Sequence, residues 1–305
     1  MEVVPSGSRI WKTSFIDPTA LINGKLLLDG DFIYIAPFVQ TESHNGDIRI
    51  GEGTNIQDGA KITGPAEIGS NVSIAHRAEV RNSIIGSFSF VGFGAEIIGS
   101  RVGAGAFIGH GARISGINVA EGGYVPPGAS KVDGTVNDEL REFKEEVLHV
   151  NSELVIGYVD LLYSEGERAV LNIAPSPRTS WSPKSIYPRT EGVKLTGQCR
   201  IIGSVEFQGE AEVGERTSIR GDEGMPIKVG KRVKIGCGAV FHSLKGEGIE
   251  VGGESVVNDG AVIHGPVRIG KQAVIGKNAI LLKSRIADGE EVPENSLIIN
   301  SARIR

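Results

Sequence analysis

Large aliphatic side chains recur along this sequence at intervals of six. Ile50, Ile56, Ile62, Ile68, Ile74 and Val80 form one run; a five-residue step leads to Ile85, Val91 and Ile97, and another to Val102, Ile108 and Ile114. Glycine follows many of them at once, as at Gly51, Gly69, Gly86, Gly92, Gly103 and Gly109. The second half repeats the rhythm at Val213 and Ile219, at Val229, Ile235 and Phe241, and from Val251 through Val257, Ile263, Ile269 and Ile275 to Leu281. A period of six matches neither an amphipathic helix nor an alternating strand. It predicts a solenoid in which every sixth side chain points inward and the next residue begins a turn. Three hexapeptides make one triangular coil, so residues about 18 apart stack at the spacing of paired strands, roughly 4.8 Å.

The rhythm runs from about Ile10 to Lys131 and again from about Ile186 to Ile304. Between the two blocks, apolar residues at Leu140, Phe143, Val147, Val150, Leu154, Tyr158 and Leu161 predict an amphipathic helix over 137–165. Asn137 is its expected N-cap, Asp138 and Glu139 suit its first turn, Gly166 stops it, and Gly157 is a candidate break. Arg141, Glu142, Lys144, Glu145 and Glu146 read as its solvated face, and its apolar stripe as lying along the first prism or a neighbour. Four prolines and four serines between Asn172 and Pro188 predict an extended, semi-rigid linker. The expected divisions are therefore a first prism at 1–135, the helix at 136–166, the linker at 167–185 and a second prism at 186–305. The fold class is mainly β, two parallel β-helix prisms with one long α-helix after the first.

Composition sharpens this picture. The 305 residues include 43 glycines but only 10 Phe, 5 Tyr and 2 Trp, so the interior must be built from aliphatic ladders rather than large aromatics. With 32 basic and 37 acidic residues the net charge is −5, and no basic cluster tracks a phosphate backbone, which argues against nucleic acid and membrane surfaces as partners. Cys199 and Cys237 are too few for a disulfide scaffold or a CxxC zinc pattern. The start, Met1 to Gly7, lacks a charged and then apolar leader, and no apolar run approaches membrane-spanning length. A cytoplasmic protein is expected.

Chemistry must lie in what decorates the ladders. His242 follows the inward Phe241 and His264 follows the inward Ile263; their separation of 22 equals one coil plus a four-residue loop around Lys245 to Gly248. Both imidazoles therefore project from one edge on successive coils. They are either half of a metal site, since zinc takes histidine nitrogens fixed beforehand, or two surface histidines at a wet corner. His76 stands two places after the inward Ile74, with Asp58 one coil earlier; the second-prism counterparts are Asp259 and Cys237.

These stretches resemble the γ-class carbonic anhydrases and the carbonic-anhydrase-like head of the cyanobacterial carboxysome organising protein. The motifs are Ser218-Ile219-Arg220-Gly221-Asp222-Glu223-Gly224, Asn55-Ile56-Gln57-Asp58-Gly59, Val72-Ser73-Ile74-Ala75-His76 and Val262-Ile263-His264-Gly265-Pro266, with support from Phe90 to Phe93 and Arg101 to Gly105. The resemblance implies left-handed β-helices associating through prism edges as a homo-oligomer, with zinc held by two histidines from one edge and a third from its neighbour. Each prism departs from that pattern, and the departures are complementary. The first keeps Asn55, Gln57, Asp58 and His76 but has Thr63, Arg81 and Gln40-Thr41-Glu42-Ser43 where paired histidines and Arg-x-Asp-Glu would stand. The second keeps Arg220, Asp222, Glu223, His242 and His264 but has Asp259 for the bridging histidine, and Gly236 and Cys237 for Gln-Asp. A duplicated domain is thereby expected to carry one complete site between its two prisms.

The implied activity is reversible hydration of carbon dioxide to bicarbonate, a lyase reaction. His76, His242 and His264 would hold Zn2+, with Fe2+ or Co2+ as chemically acceptable substitutes. By resemblance Glu223 handles the proton, Gln57 and Asn55 orient water or product, and Arg220 pairs with Asp222 and Asp58. Three rival readings remain open on the residues. Asp259 could replace His76 as third ligand if second prisms trimerise among themselves. The prisms could be a non-catalytic assembly module. A hexapeptide acyltransferase could use His110 as base.

Overall fold

The computed structural model describes residues 13–304, together with the backbone of Glu2–Val3 and Ile10–Trp11. The start, on which the expectation of no leader rests, therefore lies largely outside the described residues. The chain divides into two compact units, residues 1–159 and 160–305. Each contains a left-handed parallel β-helix prism, so the expected fold class holds. Among the described residues, no helix is long and apolar enough to cross a membrane.

In the first unit the coil length expected from the rhythm appears as strand register. Ile56 pairs with Ile74, Ile74 with Val91, Val91 with Ile108 and Ile108 with Val125. A second face aligns Ile62, Val80, Ile97 and Ile114, and a third aligns Ile50, Ile68, Ile85 and Val102. Every one of these side chains is buried. Each such burial is worth about 1.5–3 kcal/mol, and the stacking repeats it coil after coil. The glycines after them are required by close approach: a Cβ on Gly69 would lie 2.6 Å from the backbone nitrogen of Ser87 one coil on.

The second unit stacks Ile201, Ile219, Phe241, Ile263, Leu281 and Ile298 on one face. Here the register advances by 22 residues from Ile219 to Phe241 to Ile263, then by 18 to Leu281 and 17 to Ile298. The extra residues form corner loops at 222–226 and 243–248. Later coils turn the same corner inside unbroken strands, Val262–Ile269 and Ile280–Ile286.

The helix α1 spans Asp138–Glu165. Asn137 Oδ1 accepts the Leu140 N–H at 2.9 Å, as its N-cap role requires. It ends where Gly166 takes φ of 59°, and a 3-10 turn covers Gly166–Val170. Gly157 does not break it: a helical glycine costs about 1 kcal/mol relative to alanine, and the buried stripe continues through Tyr158 and Leu161. Tyr158 stacks on Phe15 and Tyr34 of the first prism at 4.9 and 5.6 Å, and Phe143 meets Phe90 edge-on at 5.3 Å.

Two expectations need correction. Lys144 does not belong to the solvated face with Arg141, Glu142, Glu145 and Glu146; it is buried, and its ammonium donates to the Phe88 and Gly105 carbonyls at two turn corners. A long apolar stem lets lysine lie along a packed face while its head finds carbonyl oxygens. Burial lowers its pKa. The Pro/Ser-rich stretch is packed rather than a free spacer. Ile173–Ala174 pairs in parallel with the strand Arg200–Gly203, and Ala174, Ser176, Thr179 and Ser182 are buried. Its hydroxyl side chains supply the local bonds that allow this: Ser176 Oγ accepts the Ile186 N–H at 2.9 Å, and Thr179 Oγ1 accepts the Ser182 N–H at 3.1 Å. Arg200, fully buried, donates to the Leu171 and Ala169 carbonyls at the end of the 3-10 turn.

Candidate functional site

In the second unit, successive coils place Ile202, Arg220, His242, His264, Leu282 and Ile299 in one column. This column is dictated by sequence, because each of these residues directly follows an inward aliphatic or aromatic side chain. The His242 and His264 rings lie 5.3 Å apart at 73°. The loop after Gly221 brings two acids to the same place. Asp222 Oδ2 accepts from Arg220 Nη1 at 2.6 Å, Asp222 Oδ1 lies 3.1 Å from His242 Nε2, and Glu223 Oε1 lies 3.3 Å from that same nitrogen.

Arg220 and Asp222 are fully buried, and Glu223 and His242 nearly so. A buried carboxylate must find a cation or donors, and the Arg220 guanidinium meets that need for Asp222. Glu223 differs. Burial raises its pKa above the ordinary carboxylate range, against the attraction of His242 and with the repulsion of Asp222. The other oxygen of Glu223 accepts the Lys245 N–H at 2.7 Å, so the corner loop at 243–248 fixes the carboxylate. Lys245 Nζ in turn lies 4.9 Å from the centre of the Trp181 ring.

In the first unit, the expected residues also converge. His76 is buried, with Nδ1 3.1 Å from Asp58 Oδ2 on the preceding coil and its ring stacked on Phe93 of the next, 5.4 Å between centroids. Gln57 Nε2 donates to Asn55 Oδ1 at 3.1 Å and to Asn151 Oδ1 of α1 at 2.7 Å, and Asn55 Nδ2 donates to Ser73 Oγ at 2.9 Å. The amides of Asn55 and Gln57 are thus held from two sides.

The donor set suits a borderline divalent metal. Two imidazoles in register beside a buried carboxylate offer the nitrogen and oxygen atoms zinc prefers. A histidine whose Nδ1 rests against a carboxylate presents Nε2 as the basic nitrogen, the arrangement usual for metal-ligating histidines.

Other expected residues sit elsewhere. Asp259 Oδ1 accepts the Cys237 N–H at 2.8 Å, spending one oxygen on the adjacent coil. Thr63 and Arg81 share a first-unit column with Glu42, and Arg81 reaches Glu79. His110 lies among Phe90, Phe93 and Phe107, Nδ1 accepting the Phe93 N–H at 3.2 Å. Burial pushes its pKa down to about 4, which makes it a poor general base near neutrality. Sequence reasoning missed Asn151 as the support of Gln57 in the first unit, and Lys245 and Trp181 as the support of Glu223 in the second. One signal was available for the helix track: Phe15, Tyr34, Asn55, Ser73, Phe90, Phe107 and Tyr124 each immediately precede an inward residue and so form a single outward column.

Comparison with known proteins places the chain among hexapeptide-repeat proteins similar to carbonic anhydrases. Residues 47–82 match the family described as bacterial transferase hexapeptide (six repeats). A carbonic anhydrase of Methanosarcina thermophila is 31% identical over 137 residues, 38% of this chain and 56% of that protein. The carboxysome assembly protein CcmM of a Synechocystis strain is 30% identical over 147 residues, 45% of this chain and 21% of that one. The chain thus spans about half the length of the first relative and a fifth of the second. A solved hexapeptide transferase family protein from Anaplasma phagocytophilum aligns at 24% identity over 47% of this chain and 91% of its own, with a TM-score of 0.34.

Proposed function

We propose that this chain, a γ-carbonic-anhydrase-like hexapeptide-repeat protein, binds a divalent metal, zinc foremost, and reversibly hydrates carbon dioxide in the cytoplasm. His242 and His264 from the second unit and His76 from the first are the ligands, brought together within one chain or between copies of a homo-oligomer built through prism edges. One observation carries this reading: the ligand set is divided without overlap. The second unit holds two histidines in register beside Glu223, and the first holds a single buried histidine oriented by Asp58.

A metal bound there supplies the Lewis acidity that lets water lose a proton near neutral pH. The chain's own residues do the rest. Glu223, held by the Lys245 N–H and lying 3.3 Å from His242 Nε2, is placed to take up a proton and to release it again as the cycle turns. The amides of Asn55 and Gln57, preset by Ser73 and Asn151, orient water and bicarbonate. The Arg220–Asp222 pair and Asp58 hold the imidazoles in place.

The test is metal content by mass spectrometry, alongside stopped-flow hydration of carbon dioxide, for the chain and for His76→Ala, His242→Ala and His264→Ala. One metal per chain and hydration lost in all three variants is the expected result. A His76→Ala chain that keeps its metal while Asp259→Asn loses it would move the third ligand to Asp259. A second reading, a non-catalytic assembly module, is favoured by the absence of histidine from the Glu42–Thr63–Arg81 column. Stoichiometric metal without hydration would favour it over the hydratase.

A further inference from the structure

The second unit contains a concavity that the proposed metal centre does not use. It arises from a change in coil length. The corner loops at 222–226 and 243–248 overhang later coils that turn the same corner inside continuous strands, leaving a shelf of about 630 Å3. That volume lies within the roughly 300–1,000 Å3 typical of small-ligand sites. Met225, Pro226, Gly248, Pro266 and Val267 are among the residues that line it.

The charges around this shelf are unbalanced. Lys228, Arg268, Lys283 and Arg285 line it with Glu250 as the lone acid, on a chain whose net charge is −5. Glu250 is committed: its Oε2 accepts from Arg268 Nε at 2.8 Å and Nη2 at 2.5 Å. Arg285 stands directly opposite Arg268 on the next strand, and with Glu250 bound to Arg268 the charge on Arg285 is left without a carboxylate of its own. Among the described residues, no carboxylate forms an ion pair with Lys228, Lys283 or Arg285. The Arg285 backbone is itself fixed, its N–H donating to Ser301 Oγ at 3.1 Å.

We propose that this shelf is an anion site for a small, multiply charged oxyanion, an organic phosphate or polycarboxylate, gripped by Lys283 and Arg285 with Lys228 at the rim. Guanidinium and ammonium groups lining one concavity beside apolar side chains match such a ligand in charge. The site is separate from the metal centre and does not depend on the hydratase reading.

Isothermal titration of the full chain with pyrophosphate and with citrate tests it, at low and high salt. Saturable binding of either, one per chain and weakened by salt, is the expected result, and whichever binds identifies the phosphate or carboxylate source. The double variant K283A/R285A should weaken that binding at least tenfold while its circular dichroism spectrum is unchanged. Arg113→Ala, in the first unit, should leave it intact. Failure of both anions to saturate, or equal binding by K283A/R285A, overturns the proposal.

Discussion

The two units build the same column and fill it differently. In the second, Arg220, His242 and His264 follow one another on successive coils; in the first, the column of that kind reads Glu42, Thr63 and Arg81. The surroundings differ in the same sense. Arg220 is fully buried against Asp222, whereas Arg81 is exposed and pairs with its near neighbour Glu79, and Lys61 reaches Glu42 at 3.2 Å across solvent-facing side chains. The second unit shelters its charges and so can tune them; the first leaves them to water, where ion pairs contribute little. Two residues after the inward positions the contrast reverses. There the first unit has Asp58 and His76 buried together, while Asp259 of the second is engaged with a backbone N–H of Cys237. A β-helix separates scaffold from chemistry, since the ladder tolerates any polar residue just outside an inward position.

The largest expected effect breaks this comparison directly. His242→Ala or His264→Ala should cut hydration by about a hundredfold or more, at least what loss of an outer-shell partner costs, while Thr63→Ala and Arg81→Ala stay within about twofold. Stopped-flow assays decide it, and equal sensitivity of the two columns would remove the asymmetry. Next in size is Phe241→Ala, which empties the ladder under His242 and should cost about 3–5 kcal/mol in urea unfolding.

The third prediction concerns pH and the first unit. His110 has a folded pKa of about 4 against 6.5 for a free imidazole. Between those values the unfolded chain binds a proton that the folded chain refuses. The associated stability is therefore complete above pH 6.5 and is lost as pH falls toward 4, amounting to about 2–3 kcal/mol for a ring with some solvent access. Urea midpoints measured from pH 7 to 4 should show the decline, and His110→Phe should flatten it. The smallest effect is at the start of α1, where Asn137→Ala should cost about 1 kcal/mol and lower the thermal midpoint slightly.

How much of this was legible beforehand follows the range of each interaction. The ladders were readable because an inward position recurs at a fixed interval, and Asn137 and Gly166 because caps act within one turn. The column holding His242 and His264 was readable too, through its offset of one from Phe241 and Ile263. Lys144 was misplaced because a side chain's fate depends on which carbonyls lie opposite, here at Phe88 and Gly105. The prolines and serines of 172–188 suggested a spacer, and only the neighbouring strand Arg200–Gly203 shows that they are packed. Asn151 reaches Gln57 across 94 residues, a contact that no local pattern encodes.

The order of residues along the chain settles the coil, its three faces and which side chains stand just outside each ladder, because a hydrophobic repeat of six admits one way of burying itself. Folding in three dimensions settles which of those side chains become chemically distinct. It buries Glu223 and latches it to the Lys245 N–H, rests His76 on Asp58, and opens a basic shelf where long coils give way to short ones. The reason is physical: burial and hydrogen bonding depend on what approaches from other coils, and that is a property of the folded molecule.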